Sequence, residues 1–83
     1  MHTRAKIRLE TLTQVQNFVM EVKKESYEEN CVFYLEDLTG DRRVDACSIL
    51  GVMYASGEWS GEIYLVNMTR DGYFRSWVDK YRV

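Results

Sequence analysis

Apolar and polar residues alternate at the start of the chain. Ile7 and Leu9 fall on one side, Lys6, Arg8 and Glu10 on the other, which predicts a half-buried strand over residues 5–10. The period then lengthens. Val15, Phe18, Val19 and Val22 recur at helical spacing with Gln14, Gln16, Glu21 and Lys23 between them, so a helix is predicted over 12–24. Thr11 and Gln14 have the spacing of a capping box, in which hydroxyl and amide side chains satisfy the first free amides of a helix. The polar stretch from Glu25 to Asn30, with Glu25, Glu28 and Glu29, reads as a solvated loop.

Residues 31–36 (Cys-Val-Phe-Tyr-Leu-Glu) are rich in strand formers, and the Asp37-Leu-Thr-Gly-Asp41 stretch has the residues of a hairpin turn. The partner strand is placed at 42–46, with Phe33 and Leu35 sharing a core face with Val44 and Ala46. Ser48 is positioned to cap a short helix over 48–55, ended by Ser56-Gly57. Gly51 inside it lowers helix propensity, which points to close packing or to a helix of one to two turns. A fourth strand follows at 61–66, with Ile63 and Leu65 on one face. The final segment places Tyr73, Phe74, Trp77, Val78 and Tyr81 at amphipathic spacing, predicting a helix over 71–81 with a core-facing aromatic stripe. The order β-α-β-β-α-β-α implies an α+β domain: a two-layer, open-faced sandwich with a four-stranded antiparallel sheet and three helices on one face.

Composition narrows the function classes. The chain has 83 residues, room for one core, and its 46% apolar and 29% charged residues are those of a folded domain. Two Trp, six Tyr and three Phe must supply much of the buried area of so small a core. The net charge is −2, and the only adjacent basic pairs are Lys23-Lys24 and Arg42-Arg43, which argues against a nucleic-acid partner. No apolar run is long enough to span a bilayer and no signal-peptide core precedes the first strand, so the expectation is a cytoplasmic protein with no membrane partner.

Little in the sequence suggests catalysis, a metal or a cofactor. Cys31 and Cys47 are far apart and read as free, partly or fully buried thiols. The single histidine, His2, lies in what should be a frayed end, and no zinc ligand set is present. Asp41 and Asp45 lie on one strand but lack a third group to make an acid–base site. Trp59, between glycines, can either fold back on the sheet or lie exposed.

The element order, together with Val44-Asp-Ala-Cys-Ser-Ile-Leu-Gly-Val-Met53, resembles the HPr family of the sugar phosphotransferase system. In that family a Val-x-x-x-Ser-Ile-Met-Gly-type motif introduces the short helix after the third strand; Ser48, Ile49, Leu50, Gly51 and Met53 match it here. The resemblance implies an antiparallel four-stranded sheet with helices on one side. It also locates the family's phosphocarrier segment, Gly-hydrophobic-His-Ala-Arg-Pro, at the start of the first helix. Aligning Phe18-Val19 with the apolar pair of the family's helix puts Thr11 at the histidine position, Thr13 at the arginine and Gln14 at the proline. A threonine would hold phosphate as a stable ester rather than a transferable phosphoimidazole, so Thr11 reads as a helix cap.

What the resemblance leaves is a regulatory or protein-interaction module that is not an enzyme. Its implied contact residues are Leu12, Ile49, Leu50 and Met53, because so short a helix cannot bury every apolar face. The alternative is a phosphoprotein switched at Ser48, as in paralogues that control catabolite repression; phosphate there would meet the unpaired amides and positive end of a helix. Asp45 would oppose the added charge. A phosphocarrier with an unusual acceptor is the third reading. A protein partner is expected, and the oligomeric state is left open.

Overall fold

A computed structural model of the chain describes residues 3–59, 62–69 and 74–83. The predicted positions of His2, Gly61, Asp71 and Tyr73 lie outside these residues. The elements are β1 (Thr3–Arg8), α1 (Leu12–Glu29), β2 (Phe33–Glu36), β3 (Arg43–Asp45), α2 (Ile49–Glu58) and β4 (Glu62–Asn67), followed by a 3₁₀ turn at Ser76–Lys80.

The four strands form one antiparallel sheet in the order β1-β4-β2-β3. Register carries core residues across it in rows: Ala5 opposes Leu65, Leu65 opposes Leu35, and Leu35 opposes Val44. These side chains meet Val15, Phe18, Val19 and Val22 of α1 and Val52 and Ala55 of α2 in a single core. The sheet's other face carries the alternate residues. There Arg4 and Arg43 both bridge to the Glu36 carboxylate, at 3.2 and 2.7 Å, and lie over the rings of Tyr64 and Tyr34. One face is thus a packed apolar layer and the other a salt-bridged, solvent-facing one.

The hairpin turn is held by its aspartate. Asp37 Oδ1 accepts from Thr39 Oγ1 and from the amides of Asp41 and Arg42, while Gly40, at φ 81°, donates to the Asp37 carbonyl. That positive φ is the conformation only glycine adopts without strain. Partial desolvation raises the Asp37 pKa, but the Thr39 hydroxyl and the turn amides outweigh it and hold the carboxyl below its ordinary value.

Three sequence expectations need correction. Helix α1 runs past Lys24 to Glu29, where Asn30 caps it in the left-handed conformation at φ 54°. The stretch read as a solvated loop is therefore its last turn, and Glu25 is only 2% exposed. Its carboxylate accepts from Trp77 Nε1 at 2.8 Å and lies 3.9 Å from the Arg75 guanidinium, which also pairs with Glu28 and Glu29. A buried carboxylate is tolerable only with partners of this kind, and they come from the far end of the chain.

The third helix is not formed. Instead of a helix over 71–81, the described part of this segment has no helix at Phe74, is extended at Arg75 and then makes a five-residue 3₁₀ turn. Val78 N bonds to Arg75 O and Tyr81 N to Val78 O, while Tyr81 O and the Val83 amide pair with Arg8 and Lys6 of β1. A helix this short gains little from propagation, and the open edge of β1 offers its backbone other partners. The aromatic stripe keeps its role. Trp77 and Tyr81 meet the fully buried Phe18 edge to face, at centroid distances of 5.8 and 5.4 Å.

The third correction is to α2, which continues through Ser56-Gly57 to Glu58 and ends at Trp59. Trp59 folds inward, buried and edge-on to Tyr54. Its indole N–H has no acceptor among the described residues.

Candidate functional site

The starts of both helices are built by their own side chains. At α1, Thr11 Oγ1 accepts from the Gln14 amide at 3.1 Å, and Gln14 Oε1 accepts from the amides of Glu10 and Thr11 at 2.7 and 3.1 Å. This is the capping box that the sequence predicts, and it engages the atoms of Thr11 that a carrier would need free. Thr13 is exposed in the first turn, and the cap is made by Thr11 and Gln14.

At α2, Ser48 Oγ accepts from the Gly51 amide at 3.1 Å. Asp45, expected to oppose a phosphate on Ser48, directs Oδ1 to the Cys47 amide at 2.8 Å, and its carbonyl accepts from Ser48 N. Gly51 lies close to this cap. A methyl group on it would sit 3.4 Å from Ser48 Cβ and Oγ, which is ordinary contact rather than a clash. Gly51→Ala should therefore raise stability by about 0.5–1 kcal/mol through helix propensity. A thermal melt showing destabilisation would mean that the cap must shift to admit the methyl.

The four residues implied as contacts are all at the surface: Leu12 is 55% exposed, Ile49 38%, Leu50 75% and Met53 44%. Tyr54 is exposed beside them, whereas Val52 and Ala55 supply the buried face of α2. The helix is therefore divided lengthwise, with its core side satisfied by two small residues and its larger apolar residues facing out.

Leu12 and Met53 are brought together across the α1–α2 junction, where they line a cleft of about 250 Å³. Its apolar wall is completed by the buried Leu9 and Val15, and its polar rim is made by Glu10, Thr11, Ser56 and Gly57. Leu12 and Met53, both expected as contact residues, share this cleft with Thr11, which the sequence assigned to the helix cap. Glu10, Ser56 and Gly57 were not foreseen; the last two enter the rim because α2 continues past Ala55.

The stretches of sequence that supply the cleft hold acidic residues but no basic ones. No lysine or arginine occurs from Leu9 to Val22 or from Val44 to Thr69, whereas Glu10, Glu21, Asp45, Glu58 and Glu62 do. Lys23, just beyond the first stretch, is close enough to Cys47 for its charge to act there. Burial pushes the Cys47 thiol up and Asp45 adds to this, with Ser26 and Lys23 opposing, so it is a poor nucleophile at neutral pH. Cys31 is buried, and both cysteines are free thiols.

Among the described residues no group of three His, Cys, Asp or Glu side chains could hold a metal ion, and no helix is long and apolar enough to cross a membrane. The chain matches no protein-family model, and no curated protein or solved structure shows significant similarity to it.

Proposed function

We propose that this chain is an HPr-like domain that has lost the phosphocarrier histidine and acts in the cytoplasm as a non-catalytic, protein-binding regulatory module. The observation that carries the reading is the exposure of the large apolar side chains of Leu12, Ile49, Leu50 and Met53, of which Leu12 and Met53 line one cleft at the α1–α2 junction. Several large apolar side chains in one exposed patch are characteristic of an interaction surface. The motif from Ser48 to Met53 and the β-α-β-β-α-β succession ahead of the C-terminal segment support the family assignment. The direct test is capture from lysate of the native source, with wild type compared against Leu50→Asp. A protein retained by the first and lost by the second supports the reading, and equal retention by both overturns it.

Phosphotransfer should be absent. Thr11 stands where the family carries histidine, and its hydroxyl is committed to the α1 cap. Incubation with phosphoenolpyruvate and the family's general kinase should leave no acid-labile phosphate on the chain. Stoichiometric acid-labile label, persisting after His2 is removed, would restore the carrier reading.

A second reading has its own observation. Ser48 is partly exposed at the start of α2, and its hydroxyl holds a single amide, that of Gly51. Phosphate placed there would stand at the positive end of a ten-residue helix. On this reading, mass spectrometry of protein purified from its native source finds phosphate on Ser48. Ser48 unmodified under all growth conditions leaves it only a cap, whose replacement by alanine costs about 1 kcal/mol.

A further inference from the structure

The cleft between Leu12 and Met53 has a size and a charge that together specify what fills it. At about 250 Å³ it is smaller than the roughly 300–1,000 Å³ of sites that enclose a drug-sized ligand, and it suits one bulky side chain. Its wall is apolar, formed by Leu9, Leu12, Val15 and Met53. Glu10 is one of the rim residues, and Glu58 directly follows the rim residue Gly57 in sequence.

The helix ends reinforce this sign. The C-terminal turn of α2 contributes Ser56 and Gly57 to the rim, and no basic residue in that turn offsets its carbonyl dipoles. The start of α1 has the opposite polarity, but its capping box already engages the amides of Glu10, Thr11 and Gln14. The two chain stretches that build the cleft and the patch contain carboxylates and no lysine or arginine. The chain's described arginines of the sheet, Arg4, Arg8 and Arg43, are instead paired with Glu36 and Glu62 of the sheet itself.

We propose that the Leu12–Met53 cleft receives a large apolar side chain flanked by lysine or arginine, presented by a segment of a partner protein. The proposal rests on the interaction reading given above and adds the chemistry of the partner. The apolar anchor supplies the area removed from water, and the flanking cations meet Glu10, Glu58 and the carbonyl end of α2. Acidic segments with the same anchor are rejected by like charge.

The test selects ligands from a displayed library of random short peptides on the immobilised full chain, then measures affinity in solution. Enriched peptides should combine a large apolar residue with neighbouring Lys or Arg, and should bind more weakly as salt is raised. They should lose about tenfold in affinity for the Glu10→Lys/Glu58→Lys double variant, whose fold is verified by circular dichroism. Enrichment of acidic or uncharged peptides that still depend on Met53 overturns the proposal and leaves the interaction reading standing. If no enriched peptide is sensitive to Met53→Asp, or none is enriched, both fail. If the chain associates with itself in a way that Met53→Asp abolishes, the occupant is a second copy and the proposal is wrong.

Discussion

Trp77→Ala should destabilise the fold by about 3 kcal/mol or more, enough to unfold much of the population of so small a domain. Two losses combine. The ring meets Phe18 and Tyr81 edge to face, and Phe18 is fully buried beneath it. The indole N–H also serves Glu25, a carboxylate 2% exposed that lies 3.9 Å from the Arg75 guanidinium. Removing a hydrogen-bond donor from a buried charged group costs about 1–3 kcal/mol by itself. Trp77→Phe separates the terms, since it retains an aromatic edge and deletes the N–H. Urea denaturation of both variants is the measurement. If Trp77→Ala melts like the wild type, the C-terminal segment is an ornament on the fold and the Glu25 cluster has been misread.

Leu50→Asp should have the opposite profile. Leu50 is 75% exposed and the core cluster does not include it, so its replacement should shift stability by under about 0.5 kcal/mol. Affinity for the captured partner should fall about thirtyfold or more, the loss expected when a charge replaces an apolar anchor in a contact site. Thermal melts and titration calorimetry on the same preparation check both halves. If Leu50→Asp loses as much stability as Trp77→Ala, the side chain is packed in solution and the patch is not a free surface.

The local parts of this architecture were legible from sequence because their determinants are local. Thr11 and Gln14 close the α1 cap within four residues, Ser48 caps α2 through Gly51, and Asp37 and Gly40 hold the hairpin turn. The same holds for the alternation that sends Ile7, Phe33, Leu35, Ile63 and Leu65 to the core. Glu25 was misplaced because nothing near it explains its burial: Trp77, its hydrogen-bond donor, is 52 residues away. Asn30, an acceptable left-handed cap, was the one nearby signal that α1 continued. The C-terminal stripe has helical spacing, yet its backbone is directed by the edge of β1, a competition no local pattern records. The candidate site divides in the same way. Leu12 and Met53 were nominated from their own positions, but the cleft between them depends on where α2 ends and on Leu9 and Val15 behind it.

The strand order has a consequence for how the chain reaches this structure. β2 and β3 are joined by a short turn and can zip as soon as both exist, but among the described residues β1 pairs with β4 and with the residues near Arg82. Arg8 and its salt-bridge partner Glu62 are 54 residues apart. Closing so wide a loop before any reward of pairing makes this step slow relative to the hairpin and α1. During synthesis, β1 must wait as an unpaired edge until β4 arrives and inserts between it and β2. The interval in which the chain is open to misassembly is set by that insertion, and it ends when the centre of the sheet, the last strand made, is in place.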